Sequence, residues 1–303
     1  MFKKFSTVAA IASLGYVSWL GGKESERRKV LKEKDLLDTW GSRLGLGSFR
    51  VSAATPFKSS PTIITQDNLG LTTTNSPYSV RVFDDFMLVY DTRNRIPFLT
   101  FEHLTKDNIK RVGEVTRQRS EFTEDSEIHE YFRSKNSDYF KSGYDRGHLA
   151  AAGNHMKSQT HCNQTFTLSN IAPQVGVGFN RNSWNRLEKY TRHLARKYPN
   201  VYVCTGPLFI EKRVDGKKYV KYEVIGESNV AVPTHFFKVI LVEKDDGTYS
   251  LLPFIMPNAP IDDNKKLDEF ITTLEKIQKR SGIMIFDEIS KSGKLKEKSN
   301  RLI

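Results

Sequence analysis

An α+β fold with a mixed sheet core and flanking helices is predicted by two patterns in the chain. Runs rich in Val, Ile, Phe and Tyr recur with the alternation or continuous apolar character of strands. Only two stretches show helical spacing. "YSVRVFDDFMLVYDT" (78–92) alternates and then turns apolar, and "PFLTFEHLT" (97–105) is a second strand candidate. "NVYVCTGPLFI" (200–210) reads as a buried strand ended by Gly-Pro, and 229–244 and 249–260 supply further strands. Helical spacing appears in 180–198, through Trp184, Leu187, Thr191, Leu194 and Ala195. It appears again in 262–282, through Leu267, Phe270, Ile271, Leu274 and Ile277, with Gly282 after Lys279 and Arg280 as a stop.

The ends differ from the body. The start has Lys3 and Lys4, an apolar run over residues 5–20, and no acid before Glu24. That run is short for a membrane span, and three readings stand: a mitochondrial presequence or inner-membrane anchor, a secretory signal, or a plain amphipathic terminus. Residues 1–22 are therefore set apart as a targeting or anchor segment, 23–61 as a linker, 62–290 as the globular body and 291–303 as a solvated basic tail. Net charge is +12, but 1–60 holds a surplus of six and 291–303 of four, leaving a surplus of two over 61–290. Any polyanion site in the body must come from local clustering. Cys162 and Cys204 stand in no CxxC spacing, which excludes a disulfide framework and speaks against a thiolate zinc site.

The chemistry concentrates in "YDRGHLAAAGNH" (144–155). Breaking a phosphodiester requires a base to take a proton from water, a cation for the phosphate oxygens and positive charge beside the departing oxygen. His148 suits the first task and Arg146 the second, while Gly147 lets the chain bend or approach a ligand. Asn180 and Glu188 lie eight residues apart on the first predicted helix and can aim oxygens at one point. Plainer roles stand beside these: Asn180 as a helix N-cap, Glu188 pairing with Arg192 at i+4, His155 and His161 as helix or loop residues. Asn170, a polar residue in an apolar strand, needs partners and would brace the loop carrying His148. Zinc on His148, His155, His161 and Cys162 is permitted by element count, but the spacing matches no standard site. Arg181, Arg186, Lys189, Arg192, Arg196 and Lys197 on helix 180–198 form either a solvated face or a stripe for a phosphate backbone.

"DRGH", followed by a strand, a loop and a helix carrying "NxxxWxxLE", resembles the DNA/RNA non-specific endonucleases with a ββα-metal (His-Me finger) site. "TLSNIAPQ", "VYVCTGPLF", "VKYEVIG", "VAVPTHFFKV" and "MPNAP" extend the resemblance, and point to the mitochondrial branch of that family. The resemblance implies a Mg²⁺-dependent endonuclease, with Mn²⁺ as a substitute, acting on double- and single-stranded DNA and on RNA to leave 5′-phosphate and 3′-hydroxyl ends. It implies His148 as general base, Asn180 as direct metal ligand, Glu188 and Asn170 in the outer shell, and Asp145 fixing the loop. It also implies that Arg146 and either Arg117 or Arg119 contact the scissile phosphate, with Arg181 and Arg186 as further nucleic-acid contacts. A homodimer, residence in the mitochondrial intermembrane space or on the inner membrane through residues 5–20, and relocation to the nucleus in programmed cell death are expected on the same ground. The alternatives are a related exo/endonuclease, a catalytically silent nucleic-acid binder and a secreted nuclease.

Overall fold

The computed structural model describes residues 78–298 and 302; the targeting or anchor segment 1–22 and the linker 23–61 lie outside the described residues. The run at 78–92 folds as a hairpin, Tyr78–Val82 (β1) and Phe86–Asp91 (β2), because the polar pair Asp84-Asp85 breaks it at a turn. Ile96–Leu104 (β3) follows. Then come two short strands outside the main sheet, Asp145–His148 (β4) and Ile171–Gln174 (β5). Asn200–Leu208 (β6) returns to the sheet. Lys212–Val214 (β7) and Lys217–Tyr219 (β8) make an exposed hairpin, and Val224–Ile225 (β9) pairs with Val230–Ala231 (β10). His235–Glu243 (β11), Tyr249–Pro257 (β12) and Leu295–Lys298 (β13) complete a seven-stranded sheet in the order β1-β2-β3-β6-β11-β12-β13. It is antiparallel except at the β12–β13 edge. Part of the expected solvated basic tail is thus a sheet edge, a place where lysine-rich composition is usual.

Helices cover both faces of the sheet. Gln159–Thr165 is α1 and Asn185–Lys197 is α2. Trp184, at the start of α2, packs on Phe236, with ring centroids 5.7 Å apart, and Lys238 lies 5.0 Å from its ring. Strand alternation and register put Thr100, Glu102, Thr205, Phe236 and Lys238 on that same face. The opposite face carries Phe101, which meets Phe286 edge-on at 5.6 Å. Cover on both sides explains why β11 is buried through seven consecutive residues.

The two helix expectations are only partly met. The 180–198 stretch is regular from Asn185, but is preceded by a wider π-type segment, Gly176–Trp184, broken at Val177 and Gly178. Asn180 sits inside that segment, its amide N–H bonded to the Val175 carbonyl at 2.9 Å, so it is not an N-cap. The 262–282 stretch is helical only over Leu274–Ser281 (α3), apart from one 3₁₀ turn at Leu267–Phe270. Ile271 is taken by a β-bridge to Phe254, Thr272 N–H bonds to the Pro253 carbonyl, and Thr273 caps the helix that follows. Sheet pairing therefore overrides helical periodicity there. Gly282 ends α3 with φ of 72°, as its sequence position predicts.

Gly178 has φ of 83°, and a Cβ there would lie 2.9 Å from the backbone of Pro260 and Ile261. A side chain is opposed by both conformation and contact. Gly178→Ala is expected to lower unfolding free energy by about 1–3 kcal/mol, read from urea denaturation.

Candidate active site

The site is built on the β4–β5 hairpin, in which Asp145 faces Gln174 and His148 faces Ile171. Alternation places Arg146 and His148 on one face of β4 and Asp145 and Gly147 on the other. Gly147 has a packing reason: a Cβ there would occupy the space of the Gln174 side chain, itself fully buried. On the reactive face, Phe122 joins the two functional groups. The Arg146 guanidinium lies 4.3 Å from its ring centroid, and the His148 ring lies 5.6 Å away. Phe166 meets His148 edge-on at 4.6 Å. His148 is 7% exposed, and its Nε2 is buried without a hydrogen-bond partner among the described residues. Burial first, then the positive fields of Arg117 and His155, lowers its pKa to about 3. The imidazole is neutral throughout the physiological range and has a nitrogen lone pair available to accept a proton.

Asp145 turns the other way and grips the π-type segment. Its carboxylate accepts from Asn180 Nδ2 at 2.9 Å and from Arg181 Nη2 and Nε at 2.6 and 2.8 Å. The Arg181 hydrogen bonds hold the Asp145 pKa below the usual carboxylate range. Because the Asn180 nitrogen is committed to Asp145, its Oδ1 points elsewhere and is free to bind a cation. A single amide oxygen beside a carboxylate suits a hard divalent ion that retains most of its water.

Behind this face the sheet is polar. Glu102 is fully buried and accepts from Asn154 Nδ2 at 2.8 Å, and it bonds His155 Nε2 at 3.0 Å. His155 is also drawn to Asp85, which bonds His161 Nδ1. Burial alone would lower the His155 pKa, but its bonds to Asp85 and Glu102 raise it above the ordinary value. His155 and His161 thus form a chain of carboxylate pairs, and not the ligand set a zinc site would need. Lys238 Nζ donates to Thr205 Oγ1 at 2.6 Å, and Arg192 Nη1 donates to Asn154 Oδ1 at 3.0 Å. Both cations act on Glu188. Desolvation raises the Glu188 pKa, and the fields of Lys238, Arg192 and Arg117 oppose that rise. Glu188 nevertheless keeps part of its surface accessible.

The remaining predicted residues divide. Asn170 is fully buried. Its Oδ1 accepts from Ala150 N–H at 3.0 Å, and its Nδ2 donates to the Ala150 and Thr165 carbonyls at 3.0 and 2.8 Å. It braces the loop after His148, as a buried amide there requires, and only one lone pair is left for an outer-shell role. Arg117 lies 5.9 Å from the Phe166 ring, on the His148 side, whereas Arg119 is paired with Glu114 at 3.2 Å. On 180–198 the arginines are partly engaged within the fold. Arg181 pairs with Asp145 yet keeps most of its side chain exposed. Arg186 donates to the carbonyls of Asp263 and Lys265 at 2.8 and 2.9 Å. Sequence reasoning missed Phe122, Phe166, Glu102 and Lys238. The last two carry a signal, a charged residue inside an otherwise apolar strand, but the aromatic pair carries none.

The low His148 pKa has a sign that can be measured. Below about pH 6.5 the unfolded chain takes up a proton at His148 that the folded protein refuses, so stability falls as pH falls. Between pH 7.5 and 5.5 the wild type is expected to lose about 1.4 kcal/mol more than His148→Asn, by urea denaturation at both pH values.

Residues 66–292 match the family model described as DNA/RNA non-specific endonuclease. The chain is 48% identical over 220 residues to "Endonuclease G, mitochondrial" of Caenorhabditis elegans, spanning 72% of this chain and 71% of that one. It is 47% identical over 215 residues to the protein of the same name from Homo sapiens, spanning 70% and 71%. The crystal structure of an EndoG/EndoGI complex superposes with a TM-score of 0.70 at 49% identity, covering 71% of this chain and 88% of that one. A neutral buried histidine beside a stacked arginine, an aspartate-anchored amide across the hairpin, and a family match over most of the body lead to one conclusion: the chain belongs to the DNA/RNA non-specific endonuclease family and is a hydrolase of nucleic acids.

Proposed function

We propose that the protein is a Mg²⁺-dependent endonuclease in which His148 takes the proton of the attacking water. The observation that carries this reading is the neutral, buried imidazole set beside Arg146 on one face of a short hairpin. Desolvation and Arg117 depress its pKa in the free enzyme. The negative charge of a phosphodiester arriving at Arg146 and Arg117 offsets that field and raises basicity when substrate is present. Arg146, stacked on Phe122 and bonded through Nη1 to Asn136 Oδ1 at 2.7 Å, is oriented to bind phosphate oxygens. Arg117, and not Arg119, is the second phosphate contact, supported by its place over Phe166 and its field on His148. Asn180 Oδ1 would hold the metal, with Glu188 orienting its waters; Mn²⁺ is a reasonable substitute on the same oxygen ligands. When bound, the ion supplies positive charge at the departing 3′ oxygen.

Contacts to phosphate carry no base information, so cleavage is expected to show little sequence preference and to accept DNA and RNA alike. The mitochondrial names of the relatives, together with the basic and then apolar start of the chain, support residence in mitochondria. Attachment to the inner membrane through residues 5–20, release to the nucleus in cell death and homodimerisation remain part of this proposal. Among the described residues no helix is long and apolar enough to cross a membrane.

In a plasmid-nicking assay, His148→Ala is expected to lose about 10²–10⁴-fold in rate while retaining salt-sensitive DNA binding. Wild-type speed from that variant would remove His148 from the reaction. EDTA is expected to stop the wild type and added Mg²⁺ to restore it. Asp145→Ala frees the Asn180 amide to rotate, and the Mg²⁺ concentration for half-maximal activity is expected to rise about 10-fold or more. An unchanged metal requirement would show that Asp145 does not position the ligand.

A further inference from the structure

The near-neutral charge of the body leaves one question: where does it concentrate the cations a polyanion needs? A groove of about 610 Å³ gathers Lys106, Lys110, Arg111, Arg117, Arg192 and Arg196, with Asp107 as its one acid. None of the six forms an ion pair among the described residues. The first three come from the loop after β3, Arg117 from a single 3₁₀ turn, and Arg192 and Arg196 from one face of α2 at i,i+4 spacing. Ile109 and Met156 give the groove an apolar lining, and the loops that carry them are joined by Val112 N–H to the Met156 carbonyl at 3.1 Å.

The groove is prearranged. Arg192 is held by Asn154 at 3.0 Å and lies against Gly153, where a Cβ would come within 2.9 Å of its Nη1. It is also continuous with the reacting centre. Arg117 lines one part of it and lies over Phe166, whose ring meets His148. A small anion would engage one or two of these side chains. Six cations spread along an apolar trough match a linear polymer with evenly spaced negative charges.

We propose that this groove is a strand-tracking subsite that binds the sugar-phosphate backbone of a polynucleotide beyond the scissile phosphate. Cleavage efficiency then depends on polymer length. The inference rests on the nuclease reading and extends it from Arg117, shared with the reacting phosphate, to Lys106, Lys110, Arg111, Arg192 and Arg196 beyond it.

The test compares the wild type with Lys110→Gln/Arg111→Gln/Arg196→Gln on two probes, a 30-nucleotide single strand and bis(p-nitrophenyl) phosphate, which is too small to reach the groove. For the long strand, KM at 150 mM salt is expected to rise at least 10-fold. The slope of log KM against log salt should become shallower by about two, from roughly 0.7 per lost phosphate contact. For the small diester, kcat/KM is expected to stay within about twofold. Lys110→Gln alone, on an exposed loop, should give about a third of the slope change and serves as a check independent of the triple variant's folding. An unchanged slope and KM on the long strand would overturn the subsite, as would equal losses on both probes. A wild type inert toward both probes, or a fully active His148→Ala, would instead overturn the nuclease reading beneath it.

Discussion

The carboxylate of Asp145 fixes the segment that follows β5 against the strand that carries the chemistry. It sits on the strand that carries Arg146 and His148, and it binds Asn180 and Arg181 from the segment that leads into α2. Three consequences follow from that one group. The Asn180 nitrogen is fixed, so its oxygen is turned outward. The π-type segment is pinned to the hairpin at a point where Gly178 has already bent it. Arg181 is tied to the same carboxylate while most of its side chain stays exposed. The guanidinium partner keeps Asp145 ionised below the usual carboxylate range, so the anchor persists into acid.

Beneath the anchor lies a layer of buried charge that a sheet face does not normally contain. Glu102 and Lys238 are both buried on the face against α2, with Thr205, Asn154 and His155 satisfying parts of them. Burying such groups is costly, and an apolar replacement of both would often be as stable. Removing only one leaves the other uncompensated, which is the stronger effect. The layer is best understood through what it touches: Arg192 is held through Asn154, and Lys238 and Arg192 together set the field at Glu188. Its effect is a fixed orientation at the start of α2, the helix that carries Glu188.

The electrostatics of the reactive face work by exclusion as much as by attraction. Phe122 and Phe166 remove water from around His148, and Phe122 also gives Arg146 a flat surface to lie on. The two rings therefore lower the basicity of the imidazole in the free protein, and Phe122 also sets the plane of the Arg146 guanidinium. A body with almost no net charge can still handle a polyanion, because its cations stand in a few places with fixed geometry.

Much of this was legible in the chain. The strand runs, the Gly282 stop, the DRGH cluster and the need for Asn170 to brace a loop all follow from local rules: side-chain alternation, left-handed backbone at glycine, and the requirement that a buried amide be bonded. Local rules failed where a distant partner intervened. The helical spacing at 262–273 yields to a bridge with Phe254. Asn180 leaves the N-cap role for Asp145, and Arg186 turns to carbonyls nearly eighty residues away. Phe122 becomes part of the site only because the chain folds it between Arg146 and His148. Sequence by itself determined which chemical groups this protein possesses and the periodicities they obey. Tertiary structure decided which of its many arginines, asparagines and aromatics face a common point, since that choice depends on contacts between residues far apart in the chain.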